Sequence, residues 1–336
     1  MNDYVLKAER ISIGYRYSKR NRLVVAQDLS FRLNAGELIC LVGPNGVGKS
    51  TLLRSLAGLQ ALFEGQIWIQ DRLMQKIPPR ELARMIGVVL TSQVNVGAMR
   101  AFEVVALGRH PYTGWSGKMN SSDEIAVGDA LRMVDALPLS QRTFSELSDG
   151  ERQKILIARA LAQEPNIMLL DEPTAFLDLP RRVMLMQMLR GLAHDWGKAI
   201  LVSTHDLDLA LQSADVIWMM GNDGSIRSGA PEDLVLNGQF EHVFAQQGVQ
   251  FDNRSGNFVV TTPSEMQISV QGDGLALFWT MHALKRAGFE IVAQRELAEK
   301  HVEIIQEGEM LAWRLHSEGI TIDHNSIYAL ILSLNN

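Results

Sequence analysis

Leu38-Ile39-Cys40-Leu41-Val42-Gly43-Pro44-Asn45-Gly46-Val47-Gly48-Lys49-Ser50-Thr51 is the stretch that decides the fold. Five apolar residues run into a loop that satisfies Gly-x-x-x-x-Gly-Lys-Ser/Thr, so a buried strand, a phosphate-binding loop and a helix follow in that order. Backbone N–H groups of a glycine loop entering a helix form a concave anion site. Lys49 adds a point charge for the outer phosphates, and the Ser50 hydroxyl can hold Mg²⁺. Gly43, Asn45, Gly46, Gly48 and Thr51 complete the candidate nucleotide contacts.

Two further strand ends carry polar chemistry. Ile167-Met168-Leu169-Leu170-Asp171-Glu172 is a continuous apolar run, as a strand buried on both faces requires, ending in two carboxylates. Ligands of open parallel sheets bind beyond the strand carboxyl ends. Asp171 is therefore placed to steady Mg²⁺, and Glu172 to orient or deprotonate an attacking water. Ala199-Ile200-Leu201-Val202-Ser203 delivers Thr204, His205 and Asp206 to the same edge, where His205 can sense a terminal phosphate.

Leu147-Ser148-Asp149-Gly150-Glu151 narrows the reading further. Ser148 followed three residues later by Glu151 is a capping-box pattern opening a helix through Arg159. Together with the phosphate loop and the acidic strand end, this pentapeptide resembles the signature of the ATP-binding subunits of ABC transporters. The resemblance spans about residues 4 to 262. It implies an α/β P-loop ABC nucleotide-binding domain with a RecA-like core, an antiparallel β subdomain and a helical subdomain at about 94–160. The usual signature is Leu-Ser-Gly-Gly-Gln, so Asp149 and Glu151 depart from it. Carboxylates at a phosphate-binding helix end oppose the anion unless they point into solvent or are taken up by the cap. The trans phosphate contacts implied by the resemblance therefore rest on Ser148 and Gly150, and the head-to-tail homodimer that needs them is implied by the family alone.

Other positions carry over singly. Gln93 in Leu90-Thr91-Ser92-Gln93 matches the loop glutamine that touches Mg²⁺ and senses the membrane subunit. Asp178 in Ala175-Phe176-Leu177-Asp178 matches the loop that crosses the dimer, with Phe176 bulkier than the usual alanine. Tyr15 matches the aromatic that stacks on adenine, with Tyr17 as the competing ring. Phe102-Glu103-Val104-Val105-Ala106-Leu107-Gly108-Arg109-His110-Pro111-Tyr112 looks like the corresponding stretch of importers of ferric siderophores, haem or cobalamin. An amphipathic helix stopped at Pro111 explains the same residues without a partner. The resemblance implies an ATPase using ATP and Mg²⁺, partnered by integral-membrane permease subunits and, through them, by a substrate-binding protein. The alternatives are a soluble ABC ATPase outside transport, or one regulated by a ligand of its C-terminal region.

Composition agrees with a motor that does not itself span the bilayer. The 336 residues are 46% hydrophobic and 21% charged, enough for two cores. No apolar run is long enough for a membrane helix and Met1-Asn2-Asp3-Tyr4 has no signal pattern, so we expect a peripheral protein on the cytoplasmic face of the membrane. A net charge of −6 argues against nucleic acid as a partner. The single cysteine, Cys40, reads as a buried, inert thiol.

Beyond Thr261-Thr262-Pro263-Ser264 the resemblance fades, and residues 263–336 read as a small α/β domain. Strands are expected at Met266 to Val270, Phe289 to Val292, Val302 to Ile305 and Leu311 to Leu315. Helices are expected at Leu275 to Lys285 and Ser326 to Leu334. Gly272-Asp273-Gly274 lacks the third glycine of a nucleotide turn and reads as a turn only. Five of the eight histidines, His242, His282, His301, His316 and His324, lie in the C-terminal part without chelating spacing, which favours unpaired surface histidines over a metal site. Trp279 and Trp313 read as core filler.

Overall fold

The computed structural model describes residues 4–16, 18, 21–91, 96–114, 117–244, 249–252, 257–260, 266–292, 298–307, 310–317 and 319–334. The chain divides into two compact units, Met1–Gln246 with Phe251–Phe258, and Gln247–Gln250 with Val259–Asn336.

The first unit opens with long strands β1 (Tyr4–Arg16) and β2 (Arg22–Asn34), then β3 (Leu38–Val42) and the helix α1 (Lys49–Leu56). Strands β4 (Glu64–Ile69) and β5 (Arg72–Leu73) complete an antiparallel sheet in the order β2-β1-β4-β5. Helix α2 (Pro79–Met85) leads into β6 (Ile86–Val89). The helical region then holds α3 (Ala101–Ala106), α4 (Ser121–Met133) and α5 (Asp149–Leu161). The chain returns through β7 (Ile167–Asp171), α6 (Leu179–His194), β8 (Ala199–Ser203), α7 (Leu207–Ser213), β9 (Val216–Met220) and β10 (Ile226–Gly229). The second sheet has the order β10-β9-β3-β8-β7-β6, parallel except for the β10 edge. Helices α8 (Pro231–Leu236) and α9 (Gln239–Phe244) and the paired strands β11 (Val249–Asp252) and β12 (Asn257–Val260) follow.

Residues alternate between two cores along each central strand. Leu38, Cys40, Val42, Met168, Leu170, Ile200 and Val202 pack with α3 to α7. Ile39, Leu41, Ile167, Leu169, Ala199 and Leu201 pack against α1 and the antiparallel sheet. Both faces of the sheet are covered, which is why these strands read as unbroken apolar runs. Cys40 is fully buried and its thiol is pushed up to about 12 by that burial, as an inert thiol should be.

The segment after Phe102 is no simple helix stopped at Pro111. Helix α3 ends at Ala106, a 3₁₀ turn covers Leu107–Arg109, and Arg109 is buried. Its guanidinium donates to Asp123 Oδ1 (2.9 Å), Glu164 Oε2 (2.7 Å) and the Ala162 carbonyl (2.7 Å). The Tyr112 ring lies 3.8 Å from that guanidinium and 4.3 Å from that of Arg84, which donates to the Pro111 carbonyl. Gly108 abuts α5 so closely that a Cβ there would fall 2.1 Å from the Arg159 carbonyl oxygen.

The second unit contains β13 (Gln267–Gln271), α10 (Gly274–Arg286), β14 (Glu290–Val292), β15 (Lys300–Glu307), β16 (Met310–Ser317), β17 (Ile320–His324) and α11 (Ile327–Leu334). Its sheet order is β14-β13-β15-β16-β17, and β13 and β14 are parallel around α10, the βαβ unit expected. Strand β17 was not foreseen: Ile320-Thr321-Ile322 alternates as a strand should, but the run spans only five residues and is largely exposed. Ile268, Leu284, Val302, Trp313, Leu315 and Leu330 form the core, with the Trp313 indole donating to Thr280 Oγ1 at 2.7 Å. Two expectations fail here. Trp279 is not core but 54% exposed on the outer side of α10. His301 is buried and bonded through Nδ1 to Ser269 Oγ at 2.8 Å, since the β13–β15 register sets these residues side by side.

Candidate nucleotide site

The phosphate loop bridges β3 and α1 at the carboxyl end of the parallel sheet. Its geometry needs glycine at two points: a Cβ on Gly43 would fall 2.4 Å from the Met220 carbonyl oxygen, and Gly48 has φ +114° with Val25 in the way. Lys49 is buried and curls back to donate to the carbonyls of Gly43 (2.8 Å) and Pro44 (3.1 Å). Burial pushes its ammonium below the usual lysine value, with Glu172 and Asp171 pulling the other way. A cation held short of full solvation and close to its own carbonyls is poised to exchange them for phosphate oxygens.

Asp171 is the hub. Its Oδ1 accepts from Ser50 Oγ at 3.0 Å and from Ser203 Oγ at 2.7 Å, and its carbonyl accepts from Thr91 Oγ1 at 2.9 Å. Ser203 Oγ in turn accepts the Glu172 N–H at 3.0 Å. Glu172 has φ +48°, a left-handed conformation that costs about 1–2 kcal/mol for a residue with a Cβ and turns its side chain off the strand direction. His205 Nδ1 stands 3.7 Å from Glu172 Oε2, in electrostatic range but beyond a hydrogen bond. Ser50 and Asp171 thus present hard oxygen donors at one point. That set fits Mg²⁺ completed by nucleotide phosphates better than a cage made of protein alone.

Tyr15, at the end of β1, meets the loop directly, its hydroxyl 2.8 Å from Thr51 Oγ1 with the ring partly exposed. Asn45 and Gly46 are exposed at the loop tip. Tyr17 and Gln93 lie outside the described residues.

A second cluster forms where α5 begins. Ser148 Oγ accepts the Glu151 N–H (3.4 Å) while Glu151 Oε2 accepts the Ser148 N–H (2.8 Å), the reciprocal cap that the sequence suggests. Glu151 also pairs with Arg142 (3.1 Å), and accepting the Ser148 N–H holds its carboxyl below the usual range. Asp149 pairs with Arg152 at 3.3 Å. Both unusual carboxylates are therefore taken up locally. Gly150 faces Leu177 and Arg181. Asp178 caps α6 by accepting the Arg181 N–H at 3.2 Å. A cleft of about 410 Å³ lined by Thr91, Asp149, Arg152, Glu172 and Phe176 runs between the two clusters.

Sequence reasoning missed Ser203 and the pair Arg182–Asp206 (3.2 Å), whose arginine also donates to the Leu177 carbonyl (2.8 Å). Ser203 was legible as a strand end. Its bond to Asp171 depends on the β7–β8 register, which pairs those two residues and which no local pattern announces.

Comparison with known proteins identifies the family. Residues 26–175 match the family described as ABC transporter, and residues 265–335 match the iron ABC transporter C-terminal domain. The ferric enterobactin transport ATP-binding protein FepC of Escherichia coli (strain K12) is 32% identical over 74% of this chain and 90% of its own length. An inward-facing metal-chelate type ABC transporter superposes with a TM-score of 0.62, at 28% identity over 72% of this chain and 89% of that one. A dimeric ATP-binding cassette in a post-hydrolysis state with ADP and Pi gives a TM-score of 0.58, at 27% identity over 67% and 98%. Among the described residues no helix is long and apolar enough to cross a membrane.

Proposed function

Since this chain belongs to the ABC transporter family of ATP-binding proteins, we propose that it is the ATP-hydrolysing subunit of an importer of metal chelates such as ferric siderophores, haem or cobalamin. The observation that carries the chemistry is the hydroxyl-linked trio of Ser50, Asp171 and Glu172 beside the Lys49 loop. The cargo class rests on the likeness to FepC and to the metal-chelate type transporter.

In this reading Tyr15 stacks on adenine, and the loop N–H groups and Lys49 hold the phosphates. Ser50 and Asp171, with Gln93, would hold Mg²⁺, which would supply positive charge to offset that of the phosphates. Glu172 takes a proton from the attacking water and His205 senses the terminal phosphate. Ser148 and Gly150 close over the nucleotide of a second copy, with Asp178 at the crossing. Closure pushes on a permease at the cytoplasmic face of the membrane, and the permease alone meets the substrate-binding protein.

The test is affinity purification of tagged Glu172→Gln protein from gently solubilised native membranes, with mass spectrometry of what accompanies it. A stoichiometric polytopic permease is expected. Recovery of soluble partners only would transfer the protein to the ABC ATPases that act outside transport.

A further inference from the structure

A left-handed backbone at a residue with a Cβ, such as Glu172 at φ +48°, persists only where its surroundings over-determine it. The peptide unit that joins Asp171 to Glu172 shows how. Its N–H is shared between the Ser203 carbonyl (3.1 Å) and Ser203 Oγ (3.0 Å), at the end of β8. Its carbonyl accepts from Thr91 Oγ1 at 2.9 Å, just past the end of β6. Strand β7 lies between β8 and β6, so one flat group is gripped at both polar ends by residues of its two neighbours. The far side of Glu172 is fixed as well, its carbonyl accepting the Ala175 N–H at 3.0 Å.

The two grips differ in origin. Strand β8 runs far enough to pair Ser203 with Asp171, whereas the pairing of β6 with β7 stops at Val89 and Leu170, one residue short. On that side a side-chain hydroxyl does what the ladder no longer does. Its absence would matter because a planar peptide can rotate about its flanking bonds with little movement of the chain on either side. Such a rotation would return φ of Glu172 to the negative region that a residue with a Cβ prefers, and would swing its carboxylate away. The Thr91 bond reaches the Asp171 main chain and not the Oδ1 that faces Ser50, so the aim of Glu172 and the hold on Mg²⁺ are separable.

We propose that Thr91 is a positioning residue for hydrolysis: its hydroxyl holds the Asp171–Glu172 peptide against rotation and keeps the Glu172 carboxylate aimed at the attacking water. This rests on the reading of Glu172 as the base.

The test is single-turnover hydrolysis and equilibrium Mg-ATP binding by full-length Thr91→Val, which keeps the shape of the side chain and lacks the donor. Thr91 is exposed, so the fold should tolerate the change. The hydrolysis rate is expected to fall about 10-fold, with ATP affinity and half-saturating Mg²⁺ unchanged. Thr91→Ser should recover most of the loss. Beside Glu172→Gln, Thr91→Val should slow hydrolysis no further, since no base is left to aim. A wild-type rate in Thr91→Val overturns the inference, as does a loss that serine does not restore. A loss that comes with a raised Mg²⁺ requirement, or that persists in full beside Glu172→Gln, overturns it in favour of a general loosening of the site. The base itself fails in a different way, through Glu172→Gln hydrolysing at the wild-type rate, and would take this inference with it.

Discussion

The two main mixed sheets of this protein solve the problem of a half-buried surface in opposite ways. The six-stranded sheet is covered on both faces, so all five positions of β3, β7 and β8 are buried and polar side chains accumulate only at the strand ends. The five-stranded sheet carries both helices on one face and alternates along its strands. In the first, chemistry is forced to one edge and can be found from the chain. In the second, polar residues such as Ser269 and His301 are spread across a face, and nothing in their order marks a site. Enclosure localises function.

The sharpest way to break that contrast is Glu172→Gln. Removal of the proposed base should lower ATP turnover by about 10²–10⁴-fold with Mg-ATP affinity retained, as single-turnover hydrolysis and equilibrium binding would measure. Turnover at the wild-type rate would mean that the strand edge does not hold the base. A change of comparable free energy but different kind is Arg109→Met. It strands the buried Asp123 carboxylate and should cost about 3–5 kcal/mol in denaturant unfolding. Hydrogen exchange should show that loss in the first unit only.

The same residue sets a pH signature. Accepting the Asn120 N–H, with Arg109 beside it, holds the Asp123 carboxyl below its ordinary value. A depressed carboxyl stabilises the fold above its unfolded pKa, and that stabilisation is lost as the pH falls through the folded one. Acid unfolding below about pH 4 should therefore be shallower in Arg109→Met than in wild type.

Ser203→Ala is the finer probe of the strand edge. Loss of the one hydroxyl that joins Asp171 to the Glu172 N–H should lower kcat about 10–100-fold and raise the Mg²⁺ needed for half activity, with ATP affinity retained. Ser203→Thr should recover part of it. An unaltered Mg²⁺ dependence would reduce Ser203 to packing. In the other sheet, Trp313→Phe removes the bond to Thr280 and should cost about 1 kcal/mol, with ATPase activity unchanged. A fall in turnover would show that the two units are energetically coupled.

How much was legible follows from the same physics. The loop 43–51, the carboxylates 171 and 172 and the α5 cap were all readable because phosphate binding and capping demand particular residues at short, fixed spacings. Ser203 and Arg182 act across elements, through registers and packing that sequence separation hides. Trp279 was misread because size alone sends a tryptophan to the core, whereas the helix turns this one outward. Strand β17 was missed because its Ile320-Thr321-Ile322 alternation is too short to stand out from a turn-rich end of the chain.

The tight seat of Gly108 against α5 has a mechanical meaning. The residues around it grip the far end of a helix whose near end is Ser148, and Arg109 fastens the same place through the Ala162 carbonyl. A 13-residue helix is a rod of about 20 Å that does not stretch. A load applied at Gly108 therefore arrives at the Ser148 cap undiminished, and a load applied at the cap returns the same way. The segment around Gly108 is thus one end of a push-rod whose other end is the Ser148 cap.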